Sequence, residues 1–138
     1  MYRRLRLLFS ALLFFSFSLS VYSNDLSGAE IHEGFSSITV TALAPIPDEL
    51  GNTTQGQAIS REAAVGIAQI HLLNYVLTKR AHSGKILSEA EIPSIDLQQE
   101  IRGTVKGAAV VSTVFEAKEC RVKLVLPKSR LKYILKKG

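Results

Sequence analysis

The sequence predicts a single small α+β domain in which one long helix packs on an antiparallel sheet. Its 138 residues are enough for one domain and not two. A long stretch in the middle has the apolar spacing of a helix, and two later runs have matching apolar faces, as in a β-hairpin. The expected element order is β-α-β-β-α. We place a signal peptide at residues 1–23, a flexible lead-in at 24–36, and the folded domain at 37–138.

The N-terminal segment has the composition of an export signal. Arginines open it, an apolar run follows over residues 7–19, and small residues stand near position 23, where a signal peptidase would cut. The apolar run is shorter than the roughly 20 residues that a membrane-spanning helix needs. We therefore expect cleavage during export, with an uncleaved membrane anchor as the alternative.

Removal of that segment leaves a nearly neutral chain. The full sequence has 17 lysines and arginines against 12 acidic residues, and three of the cations precede residue 7, so the mature net charge is about +2. Five of the remaining cations lie in the last eleven residues, which leaves the body close to neutral. Nucleic-acid binding would need a basic surface on the folded domain, so no nucleic-acid partner is predicted.

The first strand is predicted over residues 38–43, a short run rich in β-branched side chains. Pro45 and Pro47 end it, because proline cannot donate a backbone hydrogen bond to a sheet. The polar, glycine-containing stretch before it is typical of a flexible segment.

The long helix is expected to cover about 25 residues, beginning near Thr54. Thr54 and Gln57 resemble a capping box, in which each side chain satisfies a free backbone N–H group. Cations followed by Gly84 form a signal for the helix C-terminus. The apolar stripe expected to face the sheet consists of Ile59, Ala63, Ile67, Ile70, Asn74 and Leu77, widened by Ala64, Ala68, Leu72, Tyr75 and Val76.

Two shorter helical elements are also predicted. Ser94 is expected to cap a single helical turn through Leu97 and Ile101. At the C-terminus, residues 128–137 are expected to form a short basic helix. The apolar side of that helix would consist of Leu131, Ile134 and Leu135.

Residues 103–115 and 120–126 are predicted to form an antiparallel hairpin. Their apolar faces coincide in one register, whereas a slip of one residue would put one apolar set into water. That register pairs Phe115 with Cys120, Thr113 with Val122, Val111 with Leu124, and Ala109 with Leu126. The loop around Ala117-Lys118 has two or four residues, and four is favoured because Ala-Lys is a poor type I′ turn.

Several of these segments resemble the bacterial 20-kilodalton outer-membrane lipoprotein family (the Lpp-twenty family). The similarity covers most of residues 38–126. Four segments carry it: residues 38–45, residues 57–58, residues 61–64 together with 72–73, and residues 101–111. The resemblance implies a cell-envelope protein of a Gram-negative-type bacterium, and similar domains occur in lipoproteins and in proteins that help assemble flagellar basal structures. This chain departs from the family pattern because no lipid-bearing cysteine follows the signal. The departure favours a soluble periplasmic form or one held by a partner.

No residue pattern in the mature chain is typical of catalysis, a metal site or a cofactor. His71 lies among apolar helix residues without a ligand one turn away, and His32 stands in the lead-in without spaced companions. Ser83, which follows His82, lacks the glycine pattern of a nucleophile elbow, and Gly84-Lys85 lacks the rest of a phosphate loop. We therefore predict a non-enzymatic protein that needs no cofactor and no metal.

Cys120 is the only cysteine, so an intrachain disulfide is excluded. On the predicted hairpin register it faces the core beside Phe115, where a thiol behaves as a small hydrophobic side chain. The alternative is a disulfide with another chain in the oxidising periplasm.

The basic tail is the second candidate site. It forms either a solvated helix end or a contact with anionic lipid or wall polymer. Its cations are Lys128, Arg130, Lys132, Lys136 and Lys137.

Two functional hypotheses follow. The leading one is an exported assembly or interaction module of the cell envelope, located in the periplasm or at the outer membrane, with an envelope or flagellar protein as its partner. The alternative is a periplasmic binding module that contacts anionic lipid or cell-wall polymer through the basic tail, as a peripheral membrane or wall protein.

Overall fold

The computed structural model describes residues 28–138, and the α+β class predicted from the sequence is confirmed. The predicted signal peptide and the first residues of the lead-in lie outside the described residues. The elements are β1 Ala29–Glu33, β2 Ser37–Pro45, α1 Thr54–Leu77, α2 Leu87–Ala90, α3 Ile95–Lys106, β3 Ala109–Glu116, β4 Glu119–Pro127 and α4 Lys128–Lys137. The observed order therefore adds one strand and two helices to the predicted one.

The four strands form one antiparallel sheet in the order β1-β2-β4-β3. The two central strands alternate strictly between the helix side of the sheet and the opposite side, as half-buried strands do. α1 packs across both of them. Their buried side chains are Ile38, Val40, Ala42, Ala44, Cys120, Val122, Leu124 and Leu126.

The prediction of a flexible lead-in is wrong for Ala29–Glu33, which forms the edge strand β1. This strand pairs with residues 38–42 of β2. Ala29 and Ile31, two residues apart, point toward the core and are half-buried against it. Polar residues between them hid this short alternation in a segment that also contains glycines.

α1 has the predicted length, but its N-cap and the centre of its buried face differ from those predicted. The N-cap is Thr53, whose Oγ1 accepts a hydrogen bond from the Gly56 N–H at 3.1 Å, so the predicted cap at Thr54 is wrong. Ile59 and Ile70, assigned to the core stripe, are exposed. The residues that face the sheet recur at every fourth position and are mostly small: Gly56, Ser60, Ala64, Ala68, Leu72 and Val76.

Small side chains let α1 approach its neighbours closely. A Cβ atom at position 56 would lie 2.7 Å from the carbonyl oxygen of Gly51, a separation that only glycine avoids. Ile59 and Ile70 consequently fall on the outer face of the helix. The centre of the predicted stripe was therefore wrong, but four of the six buried residues belong to the set predicted to widen it: Ala64, Ala68, Leu72 and Val76.

Ser94 caps a helix as predicted, since its Oγ accepts a hydrogen bond from the Leu97 N–H at 3.2 Å. The helix is much longer than the predicted single turn, because α3 continues to Lys106. Its buried residues are Leu97, Ile101 and Val105, one turn apart. The first hairpin strand consequently begins at Ala109 and not at residue 103.

The hairpin register is confirmed next to the loop and shifted at the other end. Phe115 pairs with Cys120, and Thr113 pairs with Val122, as predicted. A bulge between Val110 and Ser112 then moves Val110 opposite Leu124 and Ala109 opposite Val125, so the predicted partners of Val111 and Ala109 are wrong.

The hairpin loop has two residues and not four. Glu116 pairs with Glu119, which leaves only Ala117 and Lys118 between the strands. Ala117 takes a φ of 23°, in the left-handed region that residues with a Cβ seldom adopt. The tight turn is therefore made without the glycine or asparagine on which sequence reasoning depends.

The predicted C-terminal helix is confirmed as α4. Leu131 and Ile134 are buried, and the helix packs against α3 and β4. Its first backbone N–H, from Lys128, donates to the Ser36 carbonyl oxygen at 2.9 Å. α4 is therefore an integral part of the fold.

Candidate functional site

The strand β3 forms one edge of the sheet. It pairs with β4 on one side, and no other strand of residues 28–138 lies on its other side. An edge strand presents a row of backbone N–H and C=O groups that can pair with a strand from another chain.

The side chains of β3 do little to protect this edge. Val111, Val114 and Phe115 are 56%, 42% and 38% exposed. The strand contains no proline and no lysine, and its single charge is Glu116 at the end next to the loop. Natural edge strands are usually protected by such charges, by proline or by short length.

The charge of Glu116 is itself balanced within the chain. An Arg121 guanidinium nitrogen lies 3.9 Å from the Glu116 carboxylate oxygen, and both side chains are about half exposed. The edge strand and its neighbouring residue therefore present an apolar, nearly neutral surface.

The bulge at Val111 divides the strand into two parts. Residues 112–116 pair regularly with residues 119–123 of β4, while Val110 and Ala109 pair in a shifted register. A bulge bends an edge and interferes with pairing by an incoming strand. The regular part available for pairing is therefore residues 112–116.

The opposite edge, β1, is built differently. It has only five residues, and these include Glu30, His32 and Glu33. Glu33 accepts a hydrogen bond from the Lys79 ammonium, which holds the pKa of that carboxyl below its usual value, and Lys128 lies 4.0 Å away. A short, charged strand tied to α1 is a protected edge, so the open edge is specific to β3.

The five cations of the predicted tail site are not all free. The Lys137 ammonium bonds Glu100 and lies 4.6 Å from the centre of the Tyr133 ring, and the hydrogen bond to Glu100 raises the pKa of Lys137. Arg130 donates to the Gly107 carbonyl oxygen at 2.8 Å. Lys128 is the residue near Glu33 described above.

Lys132 and Lys136 are the remaining tail cations. Both are exposed, and neither side chain makes an ion pair or a hydrogen bond within residues 28–138. Because they stand four positions apart, they lie on one side of α4. The part of the tail that is free to contact an anionic surface is therefore this pair.

Cys120 is fully buried in the core, as predicted. Burial raises the pKa of its thiol, because the charged thiolate is poorly solvated there. The Ser60 hydroxyl, also buried, donates to the Gln57 carbonyl oxygen at 3.0 Å. A buried, protonated thiol is poorly placed for a disulfide with another chain.

The histidines and Ser83 are not brought together. His32 is exposed on β1, His71 is half-buried on α1, and the exposed His82 follows the helix. Ser83 Oγ accepts a weak hydrogen bond from the Lys85 N–H at 3.5 Å, within the turn at Gly84. Among residues 28–138, no group of three or more His, Cys, Asp or Glu side chains could hold a metal ion.

No helix of the described part of the chain is long and apolar enough to cross a membrane. No family model, curated protein or solved structure matches the chain.

Sequence reasoning identified the strand that became β3 and missed that it lies at the edge. Residues 109–115 contain no charge, which is more typical of a central strand, so the sequence held no direct signal of the edge position. Recognising the edge required knowing that β4 pairs with β2 on its other side, which is a long-range contact.

Proposed function

We propose that this chain is a non-enzymatic module of the cell envelope that assembles with a protein partner through the open edge of β3. The observation that carries the proposal is the unpaired edge at residues 112–116, which has one charged residue and two exposed apolar side chains. Pairing of a partner strand with this edge would satisfy its free backbone groups, and the exposed Val114 and Phe115 would be covered at the same time.

The N-terminal segment and the family resemblance support the location. An export signal at residues 1–23 directs the domain to the periplasm. The resemblance to the 20-kilodalton outer-membrane lipoprotein family implies a partner among envelope or flagellar basal proteins. Because the chain has no cysteine for a lipid near the end of that signal, a protein contact supplies another way to hold it at the envelope.

Fractionation of the native host cells tests this function. We expect the wild-type chain, with a mature N-terminus near residue 24, to sediment with envelope or flagellar particles. Val114→Lys places a charge on the open edge at an exposed position, so the variant should fold and move to the soluble fraction. Wild-type protein found wholly in the soluble periplasm would contradict the proposal.

Ile70→Lys is the matched control. Ile70 is 61% exposed on the outer face of α1, so the same kind of charge is introduced away from β3. We expect this variant to sediment like the wild type. If it is released and Val114→Lys is not, the partner binds α1 and the β3 assignment is wrong.

The alternative function is binding to anionic lipid or wall polymer through the tail. The observation that favours it is the unpaired and exposed Lys132 and Lys136 on one side of α4. The other three tail cations make contacts within the chain, so only two are left without contacts to bind an anionic surface. This alternative therefore ranks second.

A further inference from the structure

We infer that the partner strand at the β3 edge comes from a second copy of this chain. Residues 112–116 of two molecules would pair antiparallel about a two-fold axis at Val114, which extends each four-stranded sheet into its neighbour's. This inference rests on the proposed function and specifies its partner.

The segment is complementary to itself in side-chain type. With Val114 on the axis, Thr113 lies opposite Phe115 of the second copy, and this pair occurs twice. Pairs between aromatic and β-branched side chains on adjacent strands stabilise a sheet. Val114 lies opposite Val114, and this exposed apolar side chain is covered by its own equivalent.

The segment can also pair with itself without bringing like charges together. Glu116 lies opposite Ser112 of the second copy, whose hydroxyl can donate a hydrogen bond to the carboxylate. The two Glu116 residues stand about 14 Å apart along the strands, since each is two residues from the axis and a strand rises about 3.4 Å per residue. That separation exceeds the Debye length of about 8 Å at physiological salt, so repulsion between them is screened.

The helix side of β3 is only partly covered. A two-fold axis perpendicular to the sheet keeps the helices of both copies on the same side. α1 packs on the central strands, and the side chains of β3 that point to the helix side are only partly covered: Thr113 is half-buried and Phe115 is 38% exposed. Because the regular segment is short, we expect a weak, concentration-dependent dimer.

Disulfide trapping of the full chain in cells tests both the partner and the register. In Val114→Cys the two new thiols meet on the axis, where paired strands bring Cα atoms to about 5 Å, within reach of a disulfide. We expect a dimer band on non-reducing electrophoresis after brief treatment with copper phenanthroline. Mass spectrometry should identify a disulfide between the two residues at position 114.

Ser112→Cys is the matched control, on the same strand and the same side of the sheet and also exposed. Its thiols would lie about 14 Å apart in the proposed register, too far for a disulfide. The double variant Ser112→Cys/Glu116→Cys should form the dimer again, because those positions are opposite each other. The wild type should give no band, since Cys120 is buried.

Three outcomes overturn the inference, and they differ in what they say about the proposed function. An adduct between Val114→Cys and a different protein ends self-pairing and leaves the assembly function intact. Equal dimer formation by Ser112→Cys and Val114→Cys shows random collision and excludes the register. Absence of any adduct, together with unchanged sedimentation of Val114→Lys, contradicts both self-pairing and the use of this edge.

Discussion

The single thiol shows how burial controls the chemistry of one residue. Cys120 lies on the buried face of β4 next to the small residues of α1, in a protein that we expect to work in an oxidising compartment. Burial raises its thiol pKa above the ordinary value of 9.0. The raised pKa disfavours the thiolate, which is the form that reacts with other thiols and disulfides.

The raised pKa has a consequence for stability. The thiol ionises at lower pH in the unfolded chain than in the folded one, so its contribution to stability is complete below about pH 9 and is lost as the pH rises through the folded pKa. The loss is at most about 1.4 kcal/mol per pH unit. We expect the free energy of unfolding, measured with urea in reducing buffer, to fall above pH 9 more steeply than in Cys120→Ala.

Cys120→Ala is the control, because it keeps every other titrating group of the wild type and lacks only the thiol. At pH 7 the variant should be less stable by about 1 kcal/mol, because a buried atom is lost. The difference between the free energies of unfolding of the wild type and the variant should narrow as the pH rises. Parallel pH profiles for the two proteins, or rapid labelling of the native thiol, would show that Cys120 is accessible to solvent.

At the scale of elements, α1 shows what local pattern can and cannot predict. Its length follows from the helical spacing and the signals at its ends. The cap and the buried face depend on how the helix approaches its neighbours, where Gly56 must lie against the Gly51 carbonyl oxygen. Periodicity fixes the spacing of a stripe, and the identity of the buried stripe is decided by packing.

The cap gives a direct test at this scale. Thr53→Ala removes the hydroxyl that accepts from the Gly56 N–H, and we expect it to lower the free energy of unfolding by about 1 kcal/mol. Thr54→Ala, one position later, lies inside the helix, where alanine is favoured, so stability should be unchanged or slightly higher. Urea denaturation curves measure both. A loss of stability in Thr54→Ala without one in Thr53→Ala would place the cap at Thr54.

One part of the hairpin could be predicted from the sequence, and the other part could not. Near the loop, alternation alone was enough to pair Thr113 with Val122 correctly. The bulge at Val111 inserts a residue that alternation cannot detect, because valine fits either face of a strand. The turn was also hidden, since Ala117 adopts a conformation for which glycine or asparagine is the usual signal.

At the scale of the whole molecule, the candidate sites depend on which strands and helices become neighbours. In the sequence the five tail cations are equivalent, yet the fold engages Lys137 with Glu100, and Arg130 with a backbone carbonyl. In the same way, the sequence predicted β3 as one strand of a hairpin, and only the fold places it at the edge of the sheet. Contacts between residues far apart in the sequence decide which tail cations stay exposed and which strand lies at the edge. Patterns in a single sequence are local, so they cannot predict either.

The division of the tail cations predicts how strongly the protein can bind an anionic membrane. Each cation near such a surface contributes about 1 kcal/mol, so Lys132 and Lys136 together give about 2 kcal/mol, a preference of about 30-fold for anionic over neutral vesicles. We expect Lys132→Gln/Lys136→Gln to abolish that preference in a vesicle sedimentation assay, and raised salt to weaken it. Lys128→Gln/Arg130→Gln, the control, should retain most of it. A preference of a thousand-fold, or an equal loss in both double variants, would mean that the contacts made by the other tail cations open at the membrane. The tail would then replace β3 as the leading functional surface.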